Sequence, residues 1–584
     1  MTLLMIRTLN MKIPCRKQIL ALIWCISECL FFSGYINGWL WVKQIVKEDG
    51  YFIEPCNISL AKTVISKEHV DILMNQPIRM THNKTKLKCF YKKVVKVVSL
   101  EEYAIYENKS KILKNTFDKG NNITFSGFDC DEQENKLELI HIIVLLFRNI
   151  TLLPLGVFLD AYGSSKARII ALCCTAFGSL TMLFSSNTYP WLILPALLML
   201  GVAGMLILLT DLQVANLFGS RRYTVMSVFV GAYFSGGIVI FFMKLTKATG
   251  VSLQTSFMFT TIGIVPVLIS TIAMLPRSRI PWPLPAEYGK NRRVNHAEDK
   301  HAKTKAWQRR TSVGTKKKHD LSEFWGIIKT KLYIFCIIWY SLLTLKIWMY
   351  DMTVDRQLSH IGVIDTDKYV SLYALILLLS LPISPLFGIV MDWNKKQVTA
   401  HHHILQMKNI FYAVSIHFCI ALLSSVTSLF SNIHVQVLSF IFVAMEKVAL
   451  HATLYAFLTH VHFPSEHFGK LVGIVIGCSG ITLILQFPLK LLLHQGSSDN
   501  TFYVHIVLLV IVVVSGCHPL SLWYHCRTGG INNSAEMTEQ ERPLTIVLME
   551  NIMKKQDNSN DENKTDQADK LTEAESAKLQ ITDL

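Results

Sequence analysis

Six ionisable side chains stand inside long apolar runs of this sequence: Glu28, Arg148, Lys244, Lys346 and the adjacent pair Glu446 and Lys447. A charge in such surroundings is costly and usually faces a cavity or an opposite partner. Glu28 lies deep, flanked by Ser27 and Cys29 with Phe31 and Phe32 after it, and reads as a cavity residue. Arg148, beside Asn149, has the same character, and Glu28 with Arg148 would form an ion pair. Glu446 and Lys447 are neighbours and cannot share a helix face, so one of them pairs elsewhere. Lys244 and Lys346 stand near the ends of their runs, where a long side chain reaches water. Trp39 and Trp348 occupy similar positions, the usual place of interface aromatics. Tyr233 sits deeper, among Gly231, Gly236 and Gly237. A small solute needs polar groups for its edges and an aromatic surface for its face. Glu28, Asn149 and Gln213 are the candidates for the edges, and Tyr233 for the face.

A second constellation occurs twice. The segment GVFLD at 156–160 and the segment GIVMD at 388–392 each place an Asp four residues after a Gly. Four residues make about one helical turn, so both fall on one face. The Gly lets a neighbouring helix approach closely. The Asp, at the rim, can engage a cation or a helix N-terminus. Gly156, Asp160, Gly388 and Asp392 are therefore candidate gate residues, against the plainer reading of an ordinary helix end with a solvated Asp.

These residues need elements long enough to hold them at depth. The chain has 584 residues, 51% hydrophobic and 17% charged, with a mean hydropathy of +0.34. About 20 mostly apolar residues span a bilayer. Twelve such runs occur, at 19–43, 139–160, 167–187, 189–210, 223–246, 255–275, 325–350, 369–391, 405–430, 434–460, 466–494 and 502–525. No soluble core hides so many helices that are apolar all round. The first run follows a basic start (Arg7, Lys12, Arg16, Lys17) and is too long for a cleaved signal, so it reads as a signal-anchor. Lys166, Arg168, Arg221, Arg222, Lys395, Lys396, Lys408 and Lys470 fall in loops on one side of the membrane, which the positive-inside rule makes cytoplasmic. The net charge of +16 is mostly this topology signal, not a nucleic-acid footprint.

The two GxxxD segments follow the second and eighth runs, six runs apart, which indicates internal duplication. The expected fold is an all-α membrane protein with the major facilitator architecture, twelve transmembrane helices in two six-helix bundles. The predicted order is a cytoplasmic N-terminus over 1–18, a first bundle over 19–275, a cytoplasmic linker over 276–324, a second bundle over 325–525 and a disordered cytoplasmic tail over 526–584. The linker segment from Lys290 to Asp320 carries eleven Lys/Arg against three Asp/Glu and cannot build a core. A polar break, HFPSEHFGKLVG at 462–473, is then a tight cytoplasmic turn that starts the eleventh run, with Ser465 as N-cap and Glu466 as the first helical residue. In this fold the eleventh helix lies against the second and faces Asp160.

The stretch 44–138 is a long exoplasmic loop with sequons at Asn57, Asn83, Asn108 and Asn122, all expected to be glycosylated. Of 13 cysteines, Cys56, Cys89 and Cys130 share that loop and allow one bridge, whose pairing the sequence leaves open. There is no phosphate-binding loop, nucleophile elbow or zinc spacing, so an ATP-driven pump and an enzyme are both disfavoured. No metal or cofactor is expected; the partners expected are a small-molecule solute and membrane lipid, and the oligomeric state is left open.

Four segments carry a resemblance: LPRSRIPWPLPAEY at 275–288, LQVANLFG at 212–219, FPSEHFGK at 463–470 and QFP at 486–488. They resemble the solute carrier 43 family, in its nucleobase-carrying branch, over about residues 20–528. Arg148 and Asp211 depart from that pattern, standing where uncharged polar residues are expected. The resemblance implies facilitated, sodium- and proton-independent uptake of purine nucleobases such as adenine, guanine and hypoxanthine at the plasma membrane. Two alternatives stay open: a sodium-independent carrier of large neutral amino acids, and a glycosylated receptor or scaffold that has lost transport.

Overall fold

The computed structural model describes residues 16–52, 131–273, 324–393, 402–494 and 500–540, together with 275, 280 and 282 and without 364, 461 and 462. The expected glycosylation sites at Asn57, Asn83, Asn108 and Asn122, the cysteines Cys56, Cys89 and Cys130, nearly all of the linker and the tail after Gln540 lie outside the described residues. Every regular element among the described residues is helical. That follows from the solvent: a backbone in hydrocarbon must satisfy its own hydrogen bonds, and a helix does so within one segment.

The described residues form twelve spans. The first runs Arg16–Glu28, continues through a π-turn at Cys29–Ser33 and a 3-10 turn at Tyr35–Gly38, and ends as Trp39–Glu48. The second to fourth are Asp131–Tyr162, Ser164–Leu183 and Ile193–Val214. The fifth is Arg222–Phe234 with Ile238–Ala248, and the sixth is Leu253–Ala273. The seventh is Lys331–His360; the eighth is Thr366–Leu377 with Ser380–Met391. The ninth to eleventh are His402–Thr427, Ile433–Leu458 and Phe468–Thr482 extended by Gln486–His494. The twelfth is Asn500–Ser515 with the helix from Cys517. Among the described residues, nine helical stretches are long and apolar enough to cross a membrane, or eleven when two bent pairs each count as one crossing. One of these stretches is the 59-residue Pro190–Ala248. At about 1.5 Å per residue it would be nearly three bilayers long. It turns back at Gly219 (φ +53°, ψ −116°), a conformation that favours glycine, so it makes two crossings and the total is twelve. The main compact unit ends at Leu522; in the second unit, Arg527 lies over the Trp523 ring at 5.4 Å.

The first and second spans outrun the sequence windows at their far ends, and so does the seventh, which continues to His360. Hydropathy stops counting where charges begin, and these ends carry Lys47, Glu134, Asp351 and Asp355.

The first, fifth and eighth spans are each interrupted at mid-depth, and these breaks lie together. The first bends by 52° at Gly34 and the eighth by 41° after Leu377. Broken backbone at this depth is tolerated only when protein covers it. Gly34 packs on Gly236 of the fifth span, where a Cβ on either would overlap the other's Cα. Asn37 donates to the Tyr233 carbonyl at 2.6 Å. Ser235, in the fifth span's own break, donates to the Leu378 carbonyl at 2.8 Å and accepts from the Leu381 amide at 2.9 Å. One hydroxyl thus satisfies two groups that the bend in the eighth span released.

Two helix pairs form the main seam between the halves: the second with the eleventh, and the fifth with the eighth. Shifting each number by six turns one pair into the other, as duplication requires.

Candidate functional site

The seam has three levels: one rim, a centre, and the opposite rim. At the first rim, Asp160 ends the second span and aims its carboxylate at the start of the eleventh. Its oxygens accept from the amides of Gly469 and Lys470, both at 2.8 Å. Asp392 ends the eighth span and does the same to the fifth, accepting from the Thr224 amide and hydroxyl, both at 2.7 Å. The first amides of a helix have no partner within it and carry the positive end of its dipole, so a carboxylate there is doubly favoured. The glycines explain the closeness. A Cβ on Gly156 would strike the Gly469 carbonyl, and one on Gly388 the Thr224 backbone. Arg222 adds a third tie, donating to the Thr459 carbonyl at the end of the tenth span.

This geometry corrects the expected cap. The eleventh α-helix starts at Phe468, after a 3-10 turn at Ser465–His467. Its cap arrives from Asp160 in the other half, not from Ser465.

At the opposite rim Lys43 of the first span donates to Glu134 of the second and Asp355 of the seventh, both at 2.6 Å. Gln44 accepts from Lys244 at 2.5 Å and lies 3.5 Å from the Ser371 hydroxyl of the eighth span. Both rims are therefore joined across the halves, and what lies between them is enclosed.

The centre is aromatic. Arg148 of the second span lies over the Trp348 ring at 5.4 Å and donates to the Tyr233 hydroxyl at 3.2 Å. Lys447 also lies over the Trp348 ring, at 5.4 Å, and over Tyr373 at 5.6 Å, and pairs with Asp351 at 2.7 Å. Phe234 meets His451 edge-on at 4.7 Å. His451 has one tautomer that fits: Nδ1 faces the Lys447 carbonyl at 2.9 Å and must carry the proton, so Nε2 accepts from the Tyr340 hydroxyl at 3.0 Å. His141 stacks on Trp39 at 4.6 Å. The Tyr455 hydroxyl and His141 Nε2 are buried without a hydrogen-bond partner among the described residues.

Two of the four predicted solute residues belong here. Tyr233 is 2% exposed and touches Arg148. Asn149 accepts from Arg148 Nε at 3.1 Å and donates to Ser479 of the eleventh span at 3.3 Å, across the seam. Glu28 and Gln213 are not brought to the cluster. Gln213 accepts from the Ser164 hydroxyl at 2.6 Å, beside a hollow of about 10 Å³ that has room for one water. Glu28 is bound by Arg168, Trp24 and Ser270, the last at 2.7 Å. The expected Glu28–Arg148 pair does not form. The Arg168 guanidinium bridges Glu28 and Asp211 instead. Cys25, Glu28 and Asp211 hold potential metal-ligand atoms within 4.8 Å of one another, but Arg168 already occupies both carboxylates.

Other readings are corrected with the same cause. Arg168, counted as a loop charge, is 3% exposed inside the third span. Lys346, read as reaching water, is 1% exposed and pairs with Glu446 at 2.5 Å. Trp348 and Trp39 are buried at the seam, not in an interface belt. Glu446 and Lys447 do pair apart, with Lys346 and Asp351. Lys43, Asp351 and His451 carried no sequence signal that singled them out.

A multi-pass helical protein in two halves, with an enclosed centre and duplicated rim contacts, is the plan of a membrane carrier. The chain belongs to the Major Facilitator Superfamily, whose family model matches residues 133–486. It is a membrane transporter and not an enzyme. Among its relatives it is similar to equilibrative nucleobase transporter 1 of Bos taurus, 26% identical over 420 residues, 68% of this chain and 86% of that protein. It is also similar to large neutral amino acids transporter small subunit 3 of Mus musculus, 23% identical over 472 residues, and of Homo sapiens, 24% over 468, each alignment covering 68% of this chain and 83% of the relative.

Proposed function

We propose that this chain carries purine nucleobases across the plasma membrane by sodium-independent facilitated transport, alternating access to the centre of the seam. The domain plan is a bundle over 19–275 with a glycosylated exoplasmic loop between the helix ends Glu48 and Asp131, a linker over 276–324, a second bundle over 325–525 and a tail over 526–584. Both termini lie in the cytoplasm, on the side of Asp160 and Asp392. These two with Gly156 and Gly388 act as the cytoplasmic latch, and Lys43 with Asp355 as the exoplasmic one. The observation that carries this reading is the enclosed centre. Tyr233, Phe234, Tyr340 and Trp348 supply faces on which a flat heterocycle stacks, while the unpartnered Tyr455 hydroxyl and His141 Nε2 serve its edges. The bovine relative's name supports the nucleobase class.

The test is uptake of radiolabelled adenine by cells expressing the chain, with and without sodium and proton gradients. Uptake is expected to exceed that of untransfected cells and to ignore both gradients. Tyr233→Ala is expected to lower it at least about tenfold at equal surface level, since it removes both a stacking face and the Arg148 acceptor. Unchanged uptake would take Tyr233 out of the site. A second reading, a carrier of neutral amino acids, is favoured by the Asp351–Lys447 pair near Arg148, because a zwitterion needs both signs of charge. Leucine that competes with adenine, or replaces it, would support that reading.

A further inference from the structure

We propose that Arg148 docks a negative charge carried by the solute, so that among flat heterocycles the chain prefers those that are anions at neutral pH. This rests on the central cluster being the solute site.

Charge pairing among the described residues sets Arg148 apart. The ion-paired carboxylates of the core each have a cation close by. Asp351 has Lys447 at 2.7 Å and the Tyr373 hydroxyl at 2.5 Å. Glu446 has Lys346 at 2.5 Å. Glu28 and Asp211 share Arg168. Glu134 and Asp355 share Lys43, and Glu138 has Lys490 at 2.6 Å. Arg148 is 4% exposed and has no carboxylate within ion-pair distance among these residues.

Its contacts are all neutral: the Asn149 amide oxygen, the Tyr233 hydroxyl and the Trp348 ring. A guanidinium has five N–H donors, and these two hydrogen bonds use two. Arg222 is also buried without an ion-paired carboxylate, but it donates to the Thr459 carbonyl at the end of the tenth helix, where the dipole is negative. Arg148 sits in the middle of its own helix, Asp131–Tyr162, and its two hydrogen bonds go to side-chain oxygens, with no helix-end carbonyl among its acceptors. The neighbouring His451 is neutral in its fitting tautomer and does not alter the balance.

An uncompensated cation in a dry interior is strongly unfavourable, and an entering anion removes that cost. The ring faces around it suit a flat anion with delocalised charge, and guanidinium binds such an edge through two parallel hydrogen bonds. The same charge could come from an ionised purine or from an amino-acid carboxylate; the cluster's aromatic faces favour the first.

The test uses the purified full chain in liposomes, with radiolabelled urate as the anionic purine, adenine as the neutral one and leucine as the zwitterion. Urate uptake is expected to exceed adenine uptake and to slow when the interior is made negative with a potassium gradient and valinomycin, while adenine uptake ignores the potential. Arg148→Gln is expected to lower the urate-to-adenine uptake ratio at least about tenfold, the worth of one charge-assisted bond. Arg148→Lys should restore part of that ratio. Equal loss of both solutes in Arg148→Gln, or urate excluded while adenine is carried, would overturn the proposal. Leucine uptake that depends on Arg148, with no purine carried, would keep the anion dock and overturn the nucleobase reading. If the variants do not fold, the wild-type chain in detergent decides: a melting temperature raised by urate and not by adenine supports the dock, and one raised by neither urate nor leucine overturns it.

Discussion

Arg168→Leu is expected to leave almost no folded protein in the membrane. Arg168 ties four spans of the first half: Glu28 of the first, Asp211 and Thr210 of the fourth, and Thr271 of the sixth, the two threonine contacts at 3.1 and 3.2 Å. Ser270 supports Glu28 at 2.7 Å, and the Cys29 thiol donates to Asp211 at 3.3 Å. All three charged groups are at most 3% exposed. Leucine would strand two carboxylates with no cation. Breaking one buried pair in this way costs about 3–5 kcal/mol, a large share of the roughly 5–15 kcal/mol that holds a protein folded. A neutral replacement of the whole triad is a different matter, since well-packed neutral residues often match a buried ion group. Arg168→Met combined with Glu28→Met and Asp211→Leu, which leaves no buried charge, should therefore recover most of the folded yield. Fluorescence-detected size exclusion of a tagged chain measures both. A monodisperse Arg168→Leu peak at wild-type height would show that the triad is not structural and would return Glu28 to the list of solute residues.

The second large effect is expected at the glycines of the seam. In Gly388→Val a side chain must enter where the Thr224 backbone stands, and in Gly156→Val where the Gly469 carbonyl stands. Backbone cannot move aside as a rotamer can, so the helices must separate. Separation pulls Asp392 and Asp160 from their amides, now 2.7 and 2.8 Å away. Each carboxylate makes two charge-assisted bonds, at about 1.5–3 kcal/mol apiece, so the closed rim loses several kcal/mol. Uptake should fall at least about tenfold while the protein still reaches the surface. A cysteine placed at the buried Ser227 should become reactive to an impermeant maleimide from the Asp160 side. Gly326, with open space around its Cβ position, is the control, and Gly326→Ala should change nothing. Wild-type uptake by both valine variants would rule out close approach at this rim as a requirement of transport.

The parts of this site differ in how legible they are in sequence. The twelve spans are plain, because a run of about twenty apolar residues matches the thickness of a bilayer and little else in a protein. The GxxxD repeats are legible because two copies at matching places support each other, and the structure sets both against helix N-termini. The ion pairs are not legible. Arg168 stands eight residues beyond Asp160 and looks like a loop charge; only its partners, at sequence distances of 140 and 43, show that it is buried. Lys346 looks like a span end until Glu446, 100 residues later, is beside it. Hydropathy averages along one helix, whereas pairing is decided between helices. Trp348 fails for the same reason: its neighbours Arg148 and Lys447 come from both halves of the chain.

The central claim is that the halves pivot about an enclosed centre, one rim opening as the other closes. Pulsed electron paramagnetic resonance on the reconstituted full chain tests it most directly. One spin-label pair, at the exposed Lys166 and Glu466, reports the Asp160 rim; another, at the exposed Glu48 and Lys368, reports the Lys43 rim. With the transported solute added, one distance distribution is expected to lengthen while the other shortens. Distances that lengthen together, or that do not respond to a solute the chain carries, would contradict it.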